Sequence, residues 1–170
     1  RAIGSETDSI IFTSNSETPA AGDWYGIGVG GSSNNTTKAF LAYCRIEYNT
    51  YGLNVSGYTY SQHTDTVSVE HSLFRSGGTA LYHSSGGNYR PIFFNNNTVQ
   101  GADALYLNHY VFYVGAISNT VIDGVISINN LRYDNDDSWT DNIEISGNTL
   151  NFSTDYNGDE YAISIRGYNY

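Results

Sequence analysis

A short motif that recurs along the chain restricts the fold more than any other feature. In each copy a small residue precedes an aliphatic residue and a run of alternating residues. Further short apolar segments lie between the copies, so each repeat holds two or three strands of three to five residues. Strands this short cannot bury an apolar face within one repeat, so the repeats must stack on one another. The copies begin at Gly26, Gly52, Ala80, Ala104, Gly124 and Ala162.

The composition agrees with strands rather than helices. The 170 residues include 18 Gly and 16 Tyr. Asn, Ser and Thr are also abundant, whereas Ala, Glu, Lys and Leu, which favour helices, are scarce. The sequence therefore predicts an all-β fold, in one domain that spans residues 1–170.

Three polar triplets predict the corners between strands: Asn97-Thr98-Val99, Asn119-Thr120-Val121 and Asn148-Thr149-Leu150. Asn tolerates the left-handed backbone conformation that a tight bend requires, and its amide can hydrogen-bond to an equivalent Asn one layer away. We therefore expect a ladder of asparagines at one corner of the stack. The alternative is a set of unrelated Asx turns, although an aliphatic residue ends every triplet.

Several segments resemble the right-handed parallel β-helix of the pectin-lyase-like superfamily. Residues 10–14 and 19–27 look like the stretch that precedes the coils in many secreted β-helix proteins, and residues 143–150 look like one of their Asn-rich repeats. The resemblance covers residues 10–167 and implies a single-stranded right-handed parallel β-helix of about six coils. The Tyr-, Asn- and Ser-rich acidic style is most similar to archaeal surface proteins of the disaggregatase type, which act on a cell-surface polysaccharide matrix.

Aligning the repeats gives each side chain a direction. With Gly52 opposite Ala80, Leu41 falls on Val69 and Ile46 on Phe74 as stacks inside the coil, and Glu47 pairs with Arg75 outside. His83 aligns with Val55 and Leu107, so we expect a satisfied histidine at the edge of the core. Tyr82 and Tyr106 form one outward row, which is either a platform on which sugars stack or a surface ladder that only adds stability.

The long insertions all follow the same recurring strand. Loops that leave the same corner of successive coils stack side by side, so we expect one continuous surface, here called the insertion wall. Its Tyr, His, Arg and Asp side chains suit polysaccharide chemistry, because aromatic rings stack on sugars and Arg binds a uronate carboxylate in bidentate fashion. The wall consists of residues 30–38, 57–65, 84–89, 108–113 and 131–141.

The insertion wall supplies most of the candidate site residues. Cleavage by β-elimination needs a base and a group that neutralises the carboxylate, whereas hydrolysis needs two carboxyl groups about 5 to 9.5 Å apart. The candidate catalytic residues are His109, Arg132, Asp134 and Asp136, and the candidate substrate-binding residues are Tyr82, Tyr106, Arg90, Tyr110 and Trp139. Asp134, Asp136 and Asp137 form either a calcium site or a solvated turn. Calcium is the one cofactor that the sequence suggests.

Charge and hydropathy exclude two classes of partner. Seven Lys and Arg against 17 Asp and Glu give a formal net charge of −10, which opposes binding to a phosphate backbone. There is no long apolar run, so we expect no membrane span. The single cysteine, Cys44, cannot form an intrachain disulfide, and its apolar neighbours predict a buried thiol. The many uncharged polar residues and few lysines favour an extracellular or cell-surface location.

Two functions from different classes follow. The first is an extracellular module that binds and cleaves an acidic polysaccharide, as a lyase or a glycoside hydrolase. The alternative is a non-catalytic structural or adhesive β-helix. The chain starts at Arg1 and contains no Met, which suggests a piece of a larger secreted protein. Further domains or self-association would then cover the open ends of the coil.

Overall fold

The computed structural model describes residues 1–31, 38–57, 66–83, 91–108, 113–132, 142–154 and 161–168. Within these residues the chain forms three parallel sheets of six strands and no helix. Strands are numbered in chain order. Sheet A consists of β1 (Ala2–Ile3), β4 (Ala39–Ala42), β7 (Val67–Glu70), β10 (Pro91–Asn95), β13 (Tyr113–Ile117) and β16 (Asn142–Ser146).

The other two sheets have the same construction. Sheet B consists of β2 (Ile10–Phe12), β5 (Cys44–Glu47), β8 (Leu73–Arg75), β11 (Thr98–Gln100), β14 (Thr120–Ile122) and β17 (Thr149–Asn151). Sheet C consists of β3 (Trp24–Gly31), β6 (Asn49–Gly57), β9 (Thr79–His83), β12 (Asp103–Asn108), β15 (Ile126–Arg132) and β18 (Ile163–Tyr168). The chain visits A, B and C in that order and then repeats, so every strand pairs with the strand three places along the chain. This is a parallel β-solenoid, as predicted.

The inward stacks match the predicted register. Leu41 pairs with Val69 and Ile46 with Phe74 in adjacent layers, and all four side chains are buried. Side chains alternate between the two faces of a strand, so each short strand sends one or two apolar residues inward. Stacking these residues from layer to layer gives one continuous hydrophobic core.

The small residue of the recurring motif is explained by close contact between layers. A Cβ atom added to Gly52 would lie 2.6 Å from the Ala80 carbonyl oxygen and 2.6 Å from the Phe74 ring. The fifth copy of the motif is one residue out of the predicted alignment. Ile126 pairs with Leu105, so Val125 rather than Gly124 takes the position of the small residue.

In the first repeat residues 4–9 connect sheet A to sheet B, and from β4 onward this corner is tight. The apolar segments 39–46, 66–74 and 91–99 each divide there into two strands, because one residue in the left-handed conformation turns the chain. The asparagine ladder is confirmed, but the left-handed residue is the one before each asparagine rather than the asparagine itself. The left-handed residues are Tyr43, His71, Asn96, Ser118 and Gly147, with φ between 48° and 63°.

The asparagine ladder satisfies the buried backbone at this corner. Asn119 Nδ2 donates to the Phe94 carbonyl at 2.7 Å and to Asn148 Oδ1 at 2.9 Å, while its own Oδ1 accepts from the Asn97 amide at 2.9 Å. Asn97 Oδ1 in turn accepts from the Ser72 amide at 3.0 Å. The ladder therefore replaces water as the partner of these polar groups.

Glu47 pairs with Arg75 as predicted, with Arg75 Nε 2.5 Å from Glu47 Oε1. Arg45 Nε lies 3.0 Å from the same oxygen, in ion-pair contact without hydrogen-bond geometry. Glu47 faces outward as predicted, yet the residue is only 4% exposed. Thr13 donates to its carboxylate and the Trp24 ring nitrogen to its carbonyl, so Thr13 and the first residue of β3 cover this outer position.

Two further residues, His83 and Cys44, are buried as predicted. His83 pairs with Val55 and Leu107 and is fully buried. Cys44 is a free, buried cysteine, and burial raises the pKa of its thiol above the usual value. A raised pKa leaves less thiolate, so Cys44 belongs to the core and not to a reactive site.

Candidate functional site

Most of the predicted site residues lie outside the described part of the chain. These are Arg90, His109, Tyr110, Asp134, Asp136, Asp137 and Trp139. Arg132 is the last residue of β15, and only its backbone is described. Of the predicted site residues, Tyr82 and Tyr106 are the two whose side chains the structure describes.

The strand bounds place the predicted insertions at one corner. Residues 32–38, 58–66, 84–90, 109–112 and 133–141 each separate a strand of sheet C from the next strand of sheet A. Two other long connections, residues 13–23 and 152–162, separate sheet B from sheet C, so the prediction that every long insertion follows the same strand is wrong. The predicted insertion wall therefore adjoins sheet C, and the outer face of sheet C is where the described residues can form a site.

Tyr82 and Tyr106 pair in register and face outward, as predicted. Their ring centroids are 5.4 Å apart and their planes differ by 12°, which is a stacked arrangement. Two tyrosines that the sequence analysis missed extend this row. Tyr51 stacks on Tyr82 with centroids 4.3 Å apart, and Tyr25 meets Tyr51 edge-on at 5.4 Å. We call these four residues the tyrosine column.

The sequence analysis missed Tyr51 because this residue does not pair with Tyr82 in the strand register. Tyr51 pairs with Thr79, whereas Asn54 is the residue opposite Tyr82. The ring of Tyr51 reaches across the strand to complete the stack. The available signal was a Tyr two residues before Ile27 and before Leu53, the aliphatic residues of the first two motif copies.

Stacking covers the faces of the inner rings. Tyr51 and Tyr82 each have a ring neighbour on both sides, and a sugar can stack only on a free aromatic face. Burial, followed by the nearby Tyr82 and Tyr25 hydroxyls, raises the pKa of Tyr51, so its hydroxyl stays neutral at ordinary pH. Most of the column is therefore a neutral structural ladder and not an open platform.

Tyr106 is the exception, because the column ends there. The next two layers place Ser127 and then Ser164 at the same register position. Within the described part of the chain, no ring other than Tyr82 stacks on Tyr106. One face of the Tyr106 ring therefore borders the open space beside Ser127 and Ser164.

That space is a cleft of about 380 Å³, here called the Tyr106 cleft. Its volume falls in the range of about 300 to 1,000 Å³ that is common for small-molecule sites. Asn129 Nδ2 donates to Ser127 Oγ at 2.8 Å, which fixes an amide beside a hydroxyl. The described residues that line it are Tyr106, Val125, Ser127, Asn129, Tyr161, Ser164 and Arg166.

Among the described residues that line the Tyr106 cleft, Arg166 is the one that carries a charge. It is exposed, and no carboxylate of the described residues lies within ion-pair distance of it. Its guanidinium can therefore pair with an acidic group from outside. The combination of an aromatic face, two hydroxyls, an amide and a guanidinium can hold a hydroxyl-rich ligand that carries a carboxylate.

The described residues contain no group of three or more His, Cys, Asp or Glu side chains that could hold a metal ion. The predicted calcium ligands, Asp134, Asp136 and Asp137, lie outside those residues, so calcium binding stays a prediction. In the same described ranges, no helix has the length and apolar character needed to cross a bilayer.

Comparison with protein-family models, with curated proteins and with solved structures gave no match to this chain. The resemblance to pectin-lyase-like proteins therefore extends to the architecture, a parallel β-solenoid, and no family membership follows from it.

Proposed function

We propose that this protein is an extracellular module that binds an acidic polysaccharide through the Tyr106 cleft. The observation that carries the proposal is the end of the tyrosine column, where a ring face opens onto serine hydroxyls and Arg166. A pyranose ring packs its apolar face on an aromatic ring, and its hydroxyl groups need hydrogen-bonding partners at the rim. The cleft provides both within one sugar-sized volume.

Arg166 is the basis for proposing an acidic sugar. The chain as a whole carries a formal net charge of −10, so long-range electrostatics disfavour polyanions. Recognition of a uronate must then come from a local contact, and a guanidinium without an internal carboxylate partner supplies one. We expect one carboxylate of the ligand to pair with Arg166.

Cleavage is the second part of the proposal. Arg132 ends β15, the strand that also carries Ser127 and Asn129, so the chain leaves the Tyr106 cleft directly into the segment that contains Asp134 and Asp136. His109 follows β12, the strand that carries Tyr106. These positions support a catalytic group beside the cleft. Disaggregatase-type surface proteins are the class of enzyme that such an arrangement would resemble.

The alternative is a non-catalytic surface scaffold, and one observation favours it. Ile163 and Ile165 occupy inward register positions opposite the buried Ile126 and Ile128, yet they are 41% and 51% exposed. In the described part of the chain, no further strand pairs with the outer edge of β18. A further domain or a second copy that stacks on this end would bury both side chains.

Calorimetric titration of the whole chain with a galacturonic acid tetramer tests the proposal. Tyr106→Ala and Arg166→Gln should each weaken binding by about tenfold or more, as truncating a central Tyr or Arg contact does in other interfaces. Tyr25→Ala is the matched control, since Tyr25 lies at the far end of the same column and is 62% exposed. This variant should bind like the parent.

The same titration separates binding from cleavage and from the scaffold alternative. Formation of new reducing ends or of unsaturated products during the titration would establish cleavage, and His109→Ala should then abolish it while binding persists. Binding without any product would leave a non-catalytic binding module. If the tetramer does not bind, the scaffold interpretation replaces the proposed function.

A further inference from the structure

A second concave surface lies at the corner between sheets A and B, the corner that sheet C does not share. Tyr43 and His71 are the left-handed corner residues of two consecutive layers, and their rings stack with centroids 5.0 Å apart and planes 7° apart. The two rings form a short aromatic stack on the outside of the coil, since His71 is exposed.

The backbone does not require aromatic residues at this corner. Tyr43 and His71 adopt φ of 52° and 48°, a conformation that costs a bulky side chain energy and suits Gly or Asn. The following layers use Asn96, Ser118 and Gly147 at the equivalent positions. Bulky residues in a disfavoured conformation are common at binding sites, so the ring pair suggests a role beyond turning the chain.

The stack of Tyr43 and His71 ends in the same way as the tyrosine column. The layer after His71 carries Asn96, and no ring other than Tyr43 stacks on His71 in the described ranges. The free face of His71 lines a groove of about 590 Å³, together with hydroxyl and amide groups that include Thr98 and Gln100. We call it the His71 groove.

The charge of the His71 groove is opposite to that of the Tyr106 cleft. Glu6 lines the groove, whereas Arg166 lines the cleft. Glu6 is exposed and forms no ion pair with another described residue. A carboxylate in this position repels a uronate and attracts a protonated amine.

We propose that the His71 groove is a second carbohydrate site, which takes an amine-bearing sugar of the glucosamine class. One sugar ring packs on the free face of His71 and its hydroxyl groups bond to the polar lining. The ammonium group of another sugar residue of the same oligosaccharide pairs with Glu6, which lies in the connection between β1 and β2, on the Tyr43 side of the ring pair. This site goes beyond the proposed function and does not depend on the Tyr106 cleft. One solenoid would then hold two glycans of opposite charge on different sides, and simultaneous binding to a mixed matrix would raise its avidity.

Titration of the whole chain with a glucosamine tetramer tests the second site. His71→Asn removes the ring but suits the left-handed backbone, so its thermal midpoint should equal or exceed that of the parent. Its affinity for the tetramer should fall by about tenfold or more. His71→Tyr should retain binding, because Tyr43 shows that a tyrosine fits this corner conformation.

Two controls separate the site from general attraction to an acidic chain. Glu6→Gln should weaken binding of the glucosamine tetramer and leave binding of its N-acetylated form unchanged. Neither His71→Asn nor Glu6→Gln should alter binding of the galacturonic acid tetramer.

Three results would overturn the second site. The first is that the parent does not bind the glucosamine tetramer. The second is that binding responds to salt but not to either substitution, which would indicate nonspecific attraction. The third is that binding is lost in Tyr106→Ala instead, which would move the ligand to the Tyr106 cleft and leave the proposed function standing.

Discussion

The two corners that flank sheet A differ in what they allow. At the corner with sheet B, every repeat after the first turns within one or two residues, and side chains of Asn97, Asn119 and Asn148 bond from layer to layer. At the corner with sheet C, the connections vary in length, from residues 109–112 to residues 58–66. The corner with sheet B therefore sets the alignment of the layers. The connections at the corner with sheet C are free to vary in sequence and to carry a site.

Removing one rung of the asparagine ladder should have the largest effect on stability. Asn119→Ala would leave the Phe94 carbonyl and the Asn97 amide without partners inside the protein. Each buried group left unsatisfied costs about 1 to 3 kcal/mol, so we expect a loss of about 2 to 4 kcal/mol in the free energy of unfolding. Denaturant unfolding followed by circular dichroism measures it.

Asn129→Ala is the matched control on the variable side. Asn129 makes one side-chain bond, to Ser127, on the partly exposed outer face of sheet C. Its loss should cost less than about 1 kcal/mol. Equal losses in the two variants would contradict the distinction between the corners.

A pair of glycine substitutions compares the core with the outer face within one sheet, since both glycines lie in sheet C. Gly52→Ala would force a Cβ atom into the Ala80 carbonyl and the Phe74 ring, and overpacking of this kind costs about 1 to 3 kcal/mol. Gly28→Ala adds a Cβ atom that meets nothing within 4 Å, so stability should stay the same or rise slightly. Thermal midpoints that fall equally would show that the outer face is as constrained as the core.

The smallest expected effect is a loss of stability in alkali that involves the tyrosine column. The pKa of Tyr51 is raised above its value in the unfolded chain, so the folded state favours the neutral hydroxyl. This contribution is fully present below pH about 10 and is lost as the pH rises through the folded pKa. The thermal midpoint of the parent should therefore fall more between pH 8 and pH 11 than that of Tyr51→Phe. Identical falls would show that Tyr51 is not responsible.

Sequence reasoning predicted the fold well because the inward positions repeat. Leu41, Val69, Ile46 and Phe74 are apolar residues at equivalent places, and a period of two fixes their face once the layers are aligned. The sharp bend at Tyr43 was not predictable, since tyrosine does not signal a left-handed turn. The sequence therefore left open whether each repeat holds two strands or three.

The site was harder to predict because its parts are distant in sequence. Ser127 and Ser164 meet only after the layers are stacked, and the one-residue error at Gly124 displaced the alignment in that region. Glu47 is covered by Thr13 and Trp24, which lie more than twenty residues before it in the sequence. Individual repeats reveal which residues face outward, but not which outward residues are covered.

A crystal structure of the whole chain with a bound galacturonic acid tetramer would test the central claim most directly. We predict that one sugar ring lies on the free face of Tyr106, between that ring and Ser164, with its carboxylate on Arg166. A tetramer that lies instead along the edges of Tyr51 and Tyr82, or that contacts neither Tyr106 nor Arg166, would contradict the account.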